Sequence, residues 1–294
     1  MKVGYCCLYG LANAGKSTLL NAILGMKVEA VSPKAQTTRF NVQGIYNDKD
    51  SQIVFIDTPG IHKPYGKLGN ILLEDAEEAK DSVDVLLYVV DASNPTMDEK
   101  VIGKVKAFKN PVILVFNKID KVPFDEGQER LSAYKKELPE AQSVEISALN
   151  KVNIDGLIDL IKTHLKEGEP YYPDDQLIDR PTRFVWAEMI REKCMLNLKE
   201  EVPHAIHVEV THTEFNPKIS KQVVYADIIV EKPSEKGIVI GKNGKMLSLI
   251  RKHAEHSISN FMQEPYALEL YVKVDPDWRN NPSHLRQYGY SEKK

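Results

Sequence analysis

The chain has 294 residues, 42% of them hydrophobic and 28% charged, with a net charge of −3. That length allows two domains with a core each, and the near-neutral balance singles out no partner. Three cysteines exclude a disulfide-stapled scaffold and fit a reducing, cytoplasmic compartment, and no apolar run reaches the length of a membrane span.

Residues 3–9 form an apolar run of strand length, and residues 18–24 place apolar side chains at helical spacing. Between them, Gly10-Leu11-Ala12-Asn13-Ala14-Gly15-Lys16-Ser17 matches G-x-x-x-x-G-K-[ST], and Thr18 continues into the helix. Strand, glycine turn and helix are the context a phosphate-cradling P-loop needs. The amides of such a turn point at phosphate oxygens, aided by the positive end of the helix. Lys16 adds a point charge, and Ser17 offers a hydroxyl to Mg²⁺. Asn13 and Lys16 also interrupt what could otherwise pass for a secretory leader. Cys6 and Cys7, in this strand, and Cys194, in a later helical pattern, are expected to be buried, unpaired thiols.

Next comes Gln36-Thr37-Thr38-Arg39, a loop whose threonine can ligate Mg²⁺ and let go when the terminal phosphate leaves. Thr38 is favoured over Thr37. Four further apolar runs follow, each closed by a polar residue: 53–56 by Asp57, 83–90 by Asp91, 111–116 by Asn117 and 144–146 by Ser147. Continuous apolar strands separated by helical patterns indicate a mostly parallel sheet covered on both faces. Ligands of such sheets lie beyond the carboxyl ends of the strands, where these polar residues converge.

Asp57-Thr58-Pro59-Gly60 is a D-x-x-G loop, followed by Ile61. Asp57 can hold Mg²⁺ through a water, and Gly60 can present its amide to the terminal phosphate. Asn117-Lys118-Ile119-Asp120 is N-K-x-D. A carboxylate at Asp120 accepts from N1–H and the exocyclic amine of guanine, a donor pair adenine lacks. Each charge-assisted bond is worth about 1.5–3 kcal/mol. Asn117 is expected to tie this loop to the P-loop, and the Lys118 stem to cover the base. In Ser147-Ala148-Leu149, the Ala148 amide can donate to guanine O6.

Residues 169–182, with Pro170 and Pro173 among acidic residues, read as a linker. Charge divides there: residues 1–180 carry net −5 and residues 181–294 net +2, with six of the eight histidines in the second part. Beyond the linker the pattern is helix (183–198), strand (206–211), strand (223–230), two helices meeting at Gly241, and strand (267–274). The junction Lys236-Gly237-Ile238-Val239-Ile240-Gly241-Lys242-Asn243-Gly244-Lys245 holds G-x-x-G with Arg251 nearby. In a KH domain this loop clamps single-stranded RNA while bases lie in an apolar groove. The α-β-β-α-α-β order resembles a type II KH fold.

The motifs in this order resemble the translation-factor-like GTPases, and more narrowly the Era group, over about residues 3–290. Asn13, the Thr-Thr-Arg, and Asp57-Thr58-Pro59-Gly60-Ile61-His62-Lys63-Pro64 carry the resemblance, with 275–279 and 285–290 resembling its C-terminal signature. It implies an α/β P-loop NTPase domain over 1–168, a linker over 169–182 and an α+β type II KH domain over 183–294 with a C-terminal tail. It implies GTP and Mg²⁺ as ligands and hydrolysis of GTP. It also implies binding to the 3′ end of small-subunit ribosomal RNA during maturation of the small ribosomal subunit.

The expected catalytic set is Lys16, Asn13, Thr38 and Gly60. Mg²⁺ is expected on Ser17, Thr38 and Asp57, and RNA on Lys236, Ile240 to Lys245 and Arg251. The other residues of the segments 10–18, 57–61, 117–120 and 147–149, Leu11, Ala12, Thr58, Pro59, Ile61, Ile119 and Leu149 among them, are expected to line the GTP site. Ile61 stands where Ras-type GTPases carry a water-orienting glutamine. In relatives with that replacement, the resemblance implies a K⁺ held partly by Asn13. Leu11-Ala12 and Ala14 depart from the family's Arg-Pro and Val, and Ala14 is expected to thin the packing under the loop. A monomer without a DNA partner is expected. The rival readings are an RNA chaperone with a structural nucleotide site, an RNA-modifying GTPase, and a regulator held peripherally at the inner membrane face.

Overall fold

The computed structural model describes residues 1–34, 37–61 and 66–290. Gln36 of the threonine loop and His62, Lys63 and Pro64 of the family signature lie outside the described residues. The chain divides into two compact units. The first comprises Met1–Lys27, Thr38–Pro64 and Leu72–Asp179. The second comprises Val28–Thr37, Tyr65–Ile71 and Arg180–Lys294.

In the first unit, β1 (Lys2–Tyr9), β3 (Ser51–Asp57), β4 (Val85–Asp91), β5 (Val112–Asn117) and β6 (Gln142–Ile146) are the expected apolar runs. They lie in one sheet in the order β3-β1-β4-β5-β6, all parallel. The side chains of β3 are buried throughout, as expected for a strand covered on both faces. The intervening helices are α1 (Lys16–Leu24), α2 (Gly66–Asp81), α3 (Glu99–Lys106), α4 (Phe124–Glu137) and α5 (Ile154–Lys162). Helix α3 starts where the Asp98 carboxylate accepts from the amides of Lys100 and Val101. Tyr88, Leu114 and Phe116 pack with Val101, Val105, Leu131 and Tyr134 in one buried cluster. The three cysteines are free and buried.

Two features were not legible in the pattern. Strand β2 (Val42–Asn47) pairs antiparallel with β3 at the sheet edge, and the two-residue β7 (Lys166–Glu167) pairs antiparallel with β1. The stretch that follows β7 is bonded to the sheet's edge. Gln52 accepts from the amides of Tyr171 and Tyr172, and the amide of Ile45 donates to Leu177 at 2.8 Å. Asp179 exchanges two bonds with Gln43. This covers an otherwise open edge strand.

The second unit runs α6 (Thr182–Asn197), β8 (His207–Asn216), β9 (Lys221–Val230), α7 (Pro233–Ile240), α8 (Lys245–Met262), β10 (Tyr266–Val274) and α9 (Pro282–Gln287). Up to β10 this is the expected α-β-β-α-α-β order. The sheet order is β10-β9-β8, with β10 parallel and β8 antiparallel to β9. Alternate residues of β10 (Tyr266, Leu268, Leu270, Val272) are buried, so one face of the sheet carries the core. Trp278, fully buried, donates its indole N–H to the Ala205 carbonyl and seals one end.

Candidate functional site

The carboxyl ends of the parallel strands bring the sequence motifs of the first unit to one edge. The P-loop leaves β1 at Gly10 and enters α1 through Gly15, whose φ of 99° lies in the left-handed region. A side chain there would meet Asn117 Nδ2 at 2.3 Å. Gly60 is required by proximity: a Cβ would stand 2.5 Å from the Ala12 backbone. The D-x-x-G loop is zipped onto the P-loop, Ile61 N–H donating to Gly10 O (3.1 Å) and Ala12 N–H to Ile61 O (3.2 Å). Thr58 fixes the loop's base by donating its hydroxyl to Leu8 O.

Lys16 is buried, and its ammonium donates to the carbonyls of Gly10 and Leu11, both at 3.1 Å. Burial pulls its pKa down, opposed by Asp57 and Cys7. Ser17 Oγ lies 2.6 Å from Asp57 Oδ2 and 2.7 Å from Thr38 Oγ1, and Thr38 Oγ1 lies 3.5 Å from Asp57 Oδ2. Asp57 is fully buried, and among the described residues no side-chain or backbone donor lies within hydrogen-bond geometry of its Oδ1. Burial pushes its carboxyl up to about 6, against the lowering effect of Lys16 and of the two hydroxyls. Two hydroxyl oxygens beside a buried carboxylate make a hard-oxygen set that fits Mg²⁺, which takes oxygen ligands. Thr38 is therefore the threonine of its loop that joins this set.

On the neighbouring strands, Asn117 bridges two loops. Its Nδ2 donates to Ala14 O at 2.9 Å, and its Oδ1 accepts from the Ala148 amide at 3.0 Å. The first bond is the expected tie. The second engages the Ala148 amide, the group expected to donate to guanine O6, with Asn117. Ser147 Oγ donates to Asp120 Oδ1 at 2.5 Å and orients the exposed carboxylate. Ile119 packs beside the core, and Leu149 is exposed.

Lys118, held at a left-handed φ of 66°, stretches across the P-loop to donate to Asn13 O (2.5 Å) and Asp91 Oδ2 (2.6 Å). Burial raises the Asp91 carboxyl, but bonds from Lys118 and Ser93 outweigh it and hold it below the ordinary range. Sequence reasoning noticed Asp91 as a strand-terminal carboxylate and assigned it no role; its place between the P-loop and base-loop strands was the available signal. Under the P-loop lies a cavity of about 50 Å³ lined by Ala12, Ala14, Tyr88, Asp91 and Tyr134, among others.

In the second unit, α7 ends at Gly241 (φ 71°), and α8 begins at Lys245 after Gly244 (φ 73°). Asn243 is also left-handed, at φ 53°. A Cβ on Gly241 would meet Met246 at 2.7 Å, whereas Gly244 faces open space. Lys242, Asn243 and Lys245 are exposed around this turn, with Lys236 half-buried on α7. Ile238 and Leu249 leave apolar surface exposed on the two helices. Arg251 is paired with Glu269 at 3.5 Å, which sequence alone did not suggest.

Two family models match the chain. One described as "50S ribosome-binding GTPase" covers residues 5–118, and one described as "KH domain" covers residues 201–279. GTPase Era of Staphylococcus haemolyticus (strain JCSC1435) is 43% identical over 293 residues, spanning 99% of this chain and 98% of its own. Among solved structures, a point variant of Aquifex aeolicus Era bound to GDP·AlF4⁻ matches 99% of this chain and all of its own, with TM-score 0.93 and 41% identity. An Era complex with MgGDPNP and nucleotides 1506–1542 of 16S ribosomal RNA matches equally well, at TM-score 0.93, 41% identity and the same coverage.

Proposed function

The chain belongs to the Era family of GTPases, and from that premise we propose that GTP turnover in its first unit times the capture and release of the 3′ region of small-subunit ribosomal RNA by its KH domain, during assembly of the small subunit. One observation carries this reading. A guanine-nucleotide edge and a G-x-x-G hinge coexist in a chain that matches, over 99% of its length, a relative solved with both MgGDPNP and 16S RNA. With the reading go a cytoplasmic location, a monomeric state and no DNA partner.

The chemistry follows from the residues of the first unit. Hydrolysis transfers the terminal phosphoryl group of GTP to water, and charge spreads over its oxygens in the transition state. The amides at the start of α1 and that of Gly60, with the Lys16 ammonium, are the donors placed to meet that charge. Lys16 reaches phosphate by exchanging its two carbonyl partners for it. Ser17, Thr38 and Asp57 would hold Mg²⁺, which when bound neutralises phosphate charge. Asp120, oriented by Ser147, reads the base, and Asn117 keeps the base loop and P-loop in register. Ile61 has no group with which to orient water.

In the second unit, the left-handed turn at 241–244 lets a phosphodiester backbone approach without a Cβ in the way, and Lys242 and Lys245 supply charge. Bases would pack on the apolar surface beside it, edge contacts giving the sequence preference.

Two variants test the reading. Lys16→Ala should lose GTP binding and fail to support maturation of the small subunit. Gly241→Asp combined with Gly244→Asp should lose RNA affinity while GTP turnover persists. Subunit maturation sustained by Lys16→Ala, or RNA affinity retained by the double variant, would overturn it.

A further inference from the structure

Helix α6 carries an unusual load of buried charge. Arg191 and Glu192 are 1% exposed and Glu188 is 5% exposed. Ionised side chains this deep persist only when paired and hydrogen-bonded, so the partners say what the cluster holds. Arg191 donates through Nε to Glu188 Oε1 at 2.8 Å and through Nη2 to Glu188 Oε2. The same Nη2 also donates to the backbone carbonyl of Thr37. Glu192 accepts from the amide of Val31 at 2.9 Å, its other oxygen bonded to Lys193. Lys34 donates its ammonium to the carbonyls of Met195 and Leu198, at the C-terminal end of α6. A cation there satisfies carbonyls that have no intrahelical partner.

These contacts lie within the second unit, to which Val28–Thr37 belongs, and Thr38 begins the next segment of the first unit. The segment is also tied to itself, Thr37 Oγ1 donating to Lys34 O at 2.6 Å and lying 2.7 Å from Ser32 Oγ. The Thr37 carbonyl therefore rests on Arg191 while the hydroxyl of the very next residue, Thr38, lies 2.7 Å from Ser17 Oγ. One peptide unit separates the guanidinium's acceptor from the Mg²⁺ set.

We propose that Arg191, oriented by Glu188, is a positioning residue of the nucleotide switch: by gripping the Thr37 carbonyl it makes the placing of Thr38 at Ser17 and Asp57 and the seating of Val31, Lys34 and Thr37 on α6 a single event. The proposal rests on the timing role given above and names the residues that transmit it. The bidentate grip of Glu188 leaves the guanidinium one orientation, so Thr37 is held at a fixed point. When the terminal phosphate leaves and Thr38 withdraws, its backbone pulls on that carbonyl, and α6 senses the change. Coupling of this kind is reciprocal: whatever factor the nucleotide imposes on RNA affinity, RNA imposes on nucleotide affinity.

The test uses the full chain and a synthetic RNA spanning the region bound by the solved relative, nucleotides 1506–1542 of 16S ribosomal RNA. RNA affinity is measured with GDP and with a non-hydrolysable GTP analogue, and the ratio is the coupling factor. A wild-type ratio of about 5-fold or more is expected, within the usual range of allosteric coupling. Arg191→Lys keeps the charge but loses the fork, and should bring the ratio to within about twofold of unity while GDP affinity holds. Lys34→Met, at a less buried position, should lower the ratio in the same direction and decides the matter if the Arg191 variant does not fold. An unchanged ratio in the folded variants overturns the proposal. A wild-type ratio of one instead overturns the timing role itself, so the two failures are distinguishable.

Discussion

Ser17 and Asp57 face each other across the nucleotide edge, hydroxyl oxygen to carboxylate oxygen at 2.6 Å, with the second oxygen of Asp57 buried and without a hydrogen-bond partner among the described residues. The metal-free protein thus keeps a carboxyl that burial has pushed up to about 6. The sign of the linkage follows. Between the unfolded value near 4 and the folded value near 6, the native state holds a proton that the unfolded chain has released, so stability of the metal-free protein falls as pH rises through that window. Mg²⁺ needs the carboxylate and competes with the proton. Its affinity should therefore fall as pH drops below about 6, approaching tenfold per unit. Thermal melts with and without Mg²⁺ at pH 7.5 and pH 5 check this: stabilisation by the ion should be large at the higher pH and small at the lower. Equal stabilisation at both would remove Asp57 from the metal set.

Asp120 owes its orientation to Ser147 Oγ, 2.5 Å away. As a carboxylate it can only accept hydrogen bonds, matching the N1–H and exocyclic amine of guanine. In Asp120→Asn the amide presents a donor where the amine needs an acceptor. Xanthine replaces that amine with a carbonyl and restores the match. GTP affinity should fall by about 10³-fold or more, and xanthosine triphosphate should bind better than GTP, since sites built on buried polar pairs reject analogues that leave a pair unmade. Competition binding with the two nucleotides measures it. A variant that still prefers GTP would move base selection elsewhere.

The main division of labour was legible in the chain because it is written in local chemistry. Strand, glycine turn and helix around residues 10–17 form one contiguous signal, and so does the α-β-β-α-α-β order around Gly241. Polar residues ending apolar runs marked the ligand edge before any strand order was known. What was not legible depends on residues distant in sequence. Asp91 becomes an anchor only because β4 lies between β1 and β5, which brings Lys118 within 2.6 Å. Strand β2 has the short, weakly patterned character of an edge strand. The stretch after β7 reads as linker by composition, yet its amides pair with Gln52 and β2. The buried Arg191 is ordinary in sequence and acquires meaning only through Glu188 and Thr37.

Ala14 is 97% buried beside the cavity of about 50 Å³ beneath the P-loop. Ala14→Val adds two carbons at that position, worth about 0.8 kcal/mol each when buried without strain. The variant should melt about 3–6 °C higher and release GDP more slowly, because a stiffer loop opens less often. Calorimetry and stopped-flow release of a fluorescent GDP analogue check the two effects. A lower melting temperature would mean that the space is too narrow for the branched side chain and that the loop depends on its slack.

Ile61 is held in place by both of its backbone bonds, to Gly10 and to Ala12, and its side chain offers no acceptor for a water proton. Beyond the Lys16 ammonium and Mg²⁺, a further cation at the phosphates would add to the charge that stabilises the transition state. Asn13, at φ 63° on the exposed crest of the P-loop, has its carbonyl engaged by Lys118. We propose that its side chain helps to hold K⁺ there. Replacing K⁺ with Na⁺ at constant ionic strength should slow turnover about 100-fold, the lower end of the range for losing one electrostatic stabiliser of a transition state. Asn13→Ala should reach a similar low rate in K⁺ and gain nothing from K⁺ over Na⁺. Phosphate release under saturating GTP gives both comparisons. If the wild-type rate ignores the exchange, no monovalent ion acts at this site. If Asn13→Ala slows turnover but keeps the K⁺ preference, the ion is held by other groups and Asn13 acts through the loop it shapes.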